Sequence, residues 1–502
     1  MFKLLNLNNQ FPNWGTVGFV PQKYTGGSRT SAGLNVYETS TGEIFSDLDF
    51  WSLLPSGWAS FQAVYCDPTV SGTGTGTVSD PYKSLDSAMN HTAASGKIIY
   101  AKPGLYNRAQ SFKGRVMNED TVILPWPGFT GQIIATSRLT NNSGGFTVAA
   151  DTTAGVWVFS DIRGETSTTI ASVYVCSELE GDLNDFGLGK HYTLAASVAA
   201  CRTTQGSYFV EETADEIYTV TINTGTTSTP DTNRLHILRN TANCSPVNGA
   251  DNGFNFYAFN VKFLGGSRPF YCAATSGTPT ISTYAMYGCE FCFPDRATAR
   301  DSCAFSASKD IYLIECLAHN SSRDLYNFKA WNDADADADF PASTPVWAQI
   351  VMIDCEGSNA NFPIVATDAN SLANAVSEHD FCRKIMVGGR YQLARGGVIH
   401  DTNVTTGSTG SNMASLILGT WAANSQAASD ANAGNTDFCI GSTLTENVYG
   451  WMYRCQNRDW NGDNSTSTYY VRNRSAEALC WVDNNLFTAR GAGTFNALPN
   501  FI

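Results

Sequence analysis

One short segment returns four times along the middle of the chain and limits what it can become. The copies are Phe259-Asn260-Val261-Lys262-Phe263, Tyr287-Gly288-Cys289-Glu290-Phe291, Ile314-Glu315-Cys316-Leu317-Ala318 and Ile353-Asp354-Cys355-Glu356-Gly357. Each places a polar residue or Gly before Val or Cys and continues as an alternating strand. Measured at the Val/Cys position, the steps are 28, 27 and 39 residues. Weakly similar units of roughly 20–50 residues with variable spacers are the pattern of a solenoid. Matching Cys in successive units would stack as an internal ladder. Further strand candidates continue the series at 384–388, 415–418, 438–440, 451–455 and 478–482.

Composition agrees with one elongated all-β body. A 502-residue chain that is 43% hydrophobic can bury a continuous core, and a solenoid absorbs that length in one domain. Only 15% of residues are charged, below the average of about 25%. Ser, Thr, Asn and Gly fill the difference, a surface suited to turns and to sugar hydroxyls. The net charge of −14 and the lack of any Lys/Arg cluster exclude nucleic acid and anionic lipid as expected partners. No apolar run approaches the roughly 20 residues of a membrane-spanning helix, so no membrane insertion is expected. Met1 to Gln10 lacks the apolar run of a secretion signal. The expectation is synthesis in a cytoplasm, with release by lysis as one route out of it.

The 14 Cys include Cys289, Cys292, Cys316, Cys355, Cys382, Cys439 and Cys480 inside apolar runs. There a thiol behaves as a small buried hydrophobe. Reduced core cysteines are the leading reading, with some disulfides or a metal site left open. Cys289 and Cys292 form a CxxC, but three residues apart on a strand they point to opposite faces. No second CxxC lies nearby, which leaves a zinc site poorly supported.

Residues 1–62 carry Trp14, Trp51 and Trp58 and read as a cap on the solenoid or as an anchor for another protein. From Ala63 the order is strand, Gly/Thr loop, Ser79-Asp80-Pro81-Tyr82-Lys83-Ser84-Leu85, an Ala-containing helix to Ala94, then Gly96-Lys97-Ile98-Ile99-Tyr100-Ala101-Lys102-Pro103-Gly104-Leu105-Tyr106. Over about residues 62 to 108 this resembles the opening of pectate-lyase-like right-handed β-helices, a form common in bacteriophage tailspikes and microbial polysaccharide-degrading enzymes. The resemblance implies an all-β, single-stranded right-handed parallel β-helix with a short N-terminal anchor segment and a small capping helix. The expected divisions are 1–62, attachment or cap; 63–240, first coils with capping helix and loop insertions; 241–445, regular coils; and 446–502, last coils, cap or trimer interface.

Polysaccharide chemistry needs paired carboxylates or a base beside a cation. The densest cluster of suitable residues gives Asp324, Glu356, His379 and Asp380 as candidate catalytic groups. Arg323, Asn327 and Arg390 join them as candidate substrate ligands. His379 between carboxylates suits a general base, and a hydrogen-bonded loop His is the plainer reading. Trp451, Tyr453 and Trp460 lie among C-terminal aromatics and Arg residues that suit sugar stacking or, equally, a subunit interface. Asp333, Asp335 and Asp337 alternate with Ala and read as a solvated loop or a Ca²⁺ site; no cofactor is required. The Arg-x-Pro-x-x-Arg of pectate lyases and the Asn-Thr-Asp and Gly-His-Gly sets of polygalacturonases are absent. The expected role is a phage tailspike-like virion protein, a homotrimer joined to other virion proteins through residues 1–62, that binds and depolymerises or only binds a host surface glycan. A non-enzymatic head-decoration or head-spike protein and a free microbial polysaccharide lyase or glycosidase are the alternatives.

Overall fold

The second residue of the repeated segment bends the chain into a coil. In the computed structural model, Asn260, Gly288, Glu315, Asp354, Gly388, Gly419 and Arg454 are all left-handed, with φ between 49° and 67°. Each stands at the corner between a strand of one sheet and a strand of the next. For the first six the N–H donates to the carbonyl one coil on, as in Asn260 to Tyr287 at 2.8 Å, Glu315 to Ile353 at 2.8 Å, Asp354 to Val387 at 2.8 Å and Gly419 to Tyr453 at 2.9 Å. The next residue then turns inward, so Val261, Cys289, Cys316, Cys355 and Cys455 share one buried core.

The result is a right-handed parallel β-helix with three long sheets. The longest has twelve strands, from Gln62–Cys66 through Lys97–Ala101 and Phe256–Phe259 to Asn496–Ala497. The second, of eight strands, runs from Gly104–Tyr106 to Trp421–Ala423, and the third, also of eight, from Phe270–Ala273 to Gly491–Ala492. The structure describes residues 2–25, 28–107, 110–112, 115–137, 147–163, 173–177, 190–214, 217–229, 235–239, 245, 247–248, 254–273, 282–294, 301–306, 310–329, 348–360, 373–379, 382–402, 413–425, 436–441, 448–474, 479–483 and 491–498.

Parallel register puts like on like inside the coil. Phe263 pairs with Phe291 at 5.7 Å between ring centres and 3° between planes, and Phe305 with Phe328 at 5.7 Å and 12°. At a second corner, Asn320 and Asn359 are again left-handed, and the Asn359 amide donates to Asn320 Oδ1 at 3.2 Å. Twelve cysteines, Cys289, Cys316 and Cys355 among them, are free and buried. Cys289 lies in the coil interior, whereas Cys292 packs outside with Leu264 and Phe293, as strand alternation requires.

The helix Leu85–Asn90 starts on Ser84, whose hydroxyl accepts from Ser87 N–H at 3.0 Å. It buries Leu85, Ala88 and Met89 against Val64, Cys66 and Ile99 of the first coils. An antiparallel excursion, including Val156–Arg163, Ser207–Ala214 and Ile217–Asn223, interrupts the coils. It returns to the edge it left, since Val122 pairs directly with Tyr257.

Residues 2–61 lie along the flank of the coil as a strap, not across its end. The outer face of the twelve-stranded sheet is apolar, and Ala348–Ile353 is buried at all six positions. Phe11, Trp14, Val36, Phe50 and Leu53 cover Tyr257, Tyr312, Ile385, Leu416 and Trp451. Each large side chain removed from water in this way contributes about 1.5–3 kcal/mol. Polar ties fix the path: the Tyr312 hydroxyl donates to Gln22 O, Arg383 to Gly18 O at 3.2 Å, and Trp451 Nε1 to Pro12 O at 2.8 Å. Trp451 and Tyr453, expected on a sugar-facing surface or a subunit interface, are instead buried beneath the strap, because the strap covers the outer face of the sheet where they stand. Among the described residues no helix is long and apolar enough to cross a membrane.

A charged cluster interrupts the interior. Lys384, Glu378 and Asp401 have fully buried side chains, with Lys384 Nζ in contact with Asp401 and 3.2 Å from Glu378 Oε2. Burial works against the Lys384 ammonium, but Asp401 and Glu378 outweigh it and hold its pKa above the ordinary value. Burial, with Asp401 beside it, pushes the Glu378 carboxyl up to about 8. Replacing Lys384→Met strands two buried carboxyls and is expected to cost about 3–5 kcal/mol in urea unfolding. Glu378 keeps a proton that the unfolded chain releases above its ordinary pKa of 4.5, so its contribution to stability is lost as pH rises from there toward about 8. Thermal midpoints across that window are expected to fall more steeply in the wild type than in Glu378→Gln; parallel curves would remove this account of the trio.

Candidate functional site

A column of side chains stands outside the first corner, one per coil, and its composition shapes the site. Along Glu315, Asp354, Gly388, Gly419 and Arg454 the two glycines contribute nothing. The gap they leave is a groove of about 420 Å³ between Asp354 and Arg454. Its floor includes Gly388, Gly389, Arg390, Trp421 and Gln456, and the strap turn Thr41 to Ile44 forms the facing wall. Glu38 fastens that wall to the coil. It takes Arg454 Nε and the Tyr453 hydroxyl, each at 2.9 Å. A Cβ on Gly419 would lie 2.8 Å from Ile44 Cβ, and one on Gly388 would lie 2.0 Å from Asp354 Oδ1. Space therefore demands glycine at both positions, whereas the corner backbone alone also accepts Asp354 and Arg454.

The chemistry is set by three in-register strands. Glu356 pairs with Arg390, and Arg390 with Trp421. The Arg390 guanidinium lies over the Trp421 ring at 4.8 Å, a stabilising cation–π contact that holds a flat two-sided platform in the groove. The Asp354 carboxylate accepts from Gly389 N–H. Burial, reinforced by Glu315, holds the Asp354 carboxyl above its ordinary range against the opposing pull of Gly389 and Arg390. Burial also raises Glu356, with Arg390 opposing and Asp354 adding. Two carboxyls that resist ionisation thus share one arginine. Such groups can donate to or accept from hydroxyls, and a raised carboxyl is the form that protonates a leaving oxygen.

The residues expected from sequence divide between two faces. Arg390 lines this groove, and Glu356 stands in register beside it without being part of the lining. Arg323, Asp324, Asn327 and His379 lie instead at the start of the third sheet. Asp324 is buried there, accepting from Asn374 N–H and Asn327 Nδ2, each at 2.7 Å, and burial with Asp301 pushes it up to about 6. It pins a corner and is not open to a substrate, which removes it from the catalytic set. Trp460 lies on a loop whose N–H donates to Gln392 Oε1 at 3.1 Å, outside the groove lining. Asp380, Asp333, Asp335 and Asp337 fall outside the described residues. Sequence reasoning missed Trp421 and the paired glycines. Their signal was present, since Val387-Gly388-Gly389-Arg390 and Leu418-Gly419-Thr420-Trp421 repeat the frame of Ile353-Asp354-Cys355-Glu356.

A second polar set, Glu290, Cys292 and His319, has its ligand atoms within 4.8 Å of one another. Glu290 Oε1 already takes Lys262 Nζ at 2.9 Å and His319 Nε2 at 2.7 Å. The carboxylate is neutralised by its neighbours, so the set reads as an ion-paired network.

No protein-family profile matches the chain, and no curated protein matches it. Among solved structures, the complex of XylC with xylose is similar, at 11% sequence identity and a TM-score of 0.47, over 86% of this chain and 69% of that one.

Gly388→Ala separates the roles of this column. It adds left-handed strain of about 1–3 kcal/mol and also drives a methyl into the Asp354 carboxylate. Gly462→Ala, at φ 83° with open space around it, carries the strain alone. The expected result is a larger drop in thermal midpoint for Gly388→Ala than for Gly462→Ala; equal drops would show that Asp354 does not occupy that space.

Proposed function

We propose that the chain is a phage tailspike-like virion protein whose corner groove binds a host surface polysaccharide. The observation that carries the binding reading is the Arg390–Trp421 platform, set in a groove walled by Asp354 and by the strap. An aromatic face takes the C–H side of a pyranose ring, and a neighbouring guanidinium and carboxyls take its hydroxyls. A weakly charged surface rich in Ser, Thr, Asn and Gly suits the same partner. The tailspike setting draws its support from the opening motif of residues 62–108, whose strand, capping helix and strand all form as that resemblance implies.

Titration of the full chain with purified host capsular or lipopolysaccharide fragments tests the groove. Trp421→Ala is expected to weaken binding by about 10- to 30-fold, the scale of an aromatic hot spot. Unchanged affinity would end the groove reading. Asp354 and Glu356 are the proposed pair for cleavage, and shortening of the glycan that is lost in Asp354→Asn would add hydrolysis to binding. Sedimentation is expected to give a homotrimer. Immunogold labelling of phage particles tests the setting, and absence of label from particles removes it.

A further inference from the structure

The third sheet carries a second set of polar groups that the groove does not use. Strand alternation turns Val376, Glu378, Ile399 and Asp401 into the coil and leaves Ser377, His379 and His400 on its outer face. Asn327 stands in register with Ser377, and Ser377 with His400. His379 Nε2 lies 2.6 Å from Ser377 Oγ and 3.3 Å from Asn327 Nδ2. The same Asn327 amide donates to Asp324 at 2.7 Å, which identifies it as the NH₂ end. His379 Nε2 therefore accepts, and Nδ1 carries the hydrogen. That Nδ1 is buried with no hydrogen-bond partner, as is His400 Nε2, on a residue only 7% exposed. Buried polar atoms without partners are rare enough to ask what they hold.

Two cations flank the imidazoles. Lys329 is exposed and in register with His379, and Arg323 is half-buried at the preceding corner. Neither forms an ion pair among the described residues. Of the nearby carboxyls, Asp324 is engaged by Asn327 and Asn374 and feels Arg323, and Asp401, which acts on His400, is paired with Lys384 inside the coil. Burial first, and then the charges of Lys329, His400 and Arg323, hold His379 well below its ordinary pKa, the mark of a locally positive field. In a chain of net charge −14 such a field is local, so it selects for negative charge by contact and not by long-range attraction.

We propose that this face binds an oxyanion borne by a sugar, a carboxylate or a sulfate ester, held by His379, His400, Arg323 and Lys329. The site lies outside the corner groove and goes beyond the reading given for it. Calorimetric titration of the full chain with sodium glucuronate, glucose 6-sulfate and glucose tests it. At least one charged sugar is expected to saturate, more weakly as salt rises, while glucose does not saturate at this face. Whichever charged sugar binds more tightly identifies the source of the oxyanion. Arg323→Gln and Lys329→Gln are each expected to weaken that binding about tenfold, and Lys329→Arg to restore it. Both side chains reach solvent, so thermal midpoints should stay near wild type, and His400→Gln supplies an independent loss. Failure of both charged sugars to saturate, or equal affinity in the Gln variants, overturns the proposal. Neutral polysaccharide titrated into the wild-type chain scores the groove separately, so either site can fail alone.

Discussion

The fold depends on a backbone that turns left-handed at the same place in every coil. Non-glycine residues resist that conformation, yet Asn260, Glu315, Asp354 and Arg454 all adopt it. What holds them is the stack. The N–H groups of Asn260, Glu315 and Asp354 find the carbonyl one coil on, and the parallel strands on both sides fix their position. A single coil would not keep this geometry. The local cost is offset by neighbours, as in any solenoid whose units are stable only together.

That dependence explains which parts were legible. The recurring Val/Cys positions report the interior directly, because a residue facing the core must match the one above it. Cys289, Cys316 and Cys355 could be read as a ladder from spacing alone, and they stack as one. The capping helix was legible because its opening motif is local. The strap was not. Phe11, Trp14 and Phe50 are plainly apolar, but nothing in their order says that they lie along the outer face of a sheet built from residues hundreds of positions later. Burial of Trp451 followed from the same long-range contact, which is why a residue suited to sugar stacking turned out to be covered.

The candidate site was half legible for a related reason. Single-sequence reading groups residues by nearness along the chain. The coil instead groups them by corner and by sheet, so Glu356 and Asn327 face different directions although they belong to neighbouring coils. What defines the groove is also partly an absence. Gly388 and Gly419 matter because the column skips a side chain there, and a missing side chain is visible only once the column is aligned.

The architecture separates the positions that must stay apolar from those that can vary. Inward positions are constrained by their neighbours above and below, and even there the buried trio of Lys384, Glu378 and Asp401 sets one ammonium between two carboxyl groups. Corner and outward positions meet solvent or the strap, and apart from the tight Gly388 and Gly419 their identity is less bound to the stack. The same strands that turn Glu378 and Asp401 inward therefore present His379 and His400 outward, and the corner that carries Asp354 in one coil is bare in the next two. Binding surfaces on such a coil are written coil by coil, with recognition chemistry chosen almost independently of the fold that holds it.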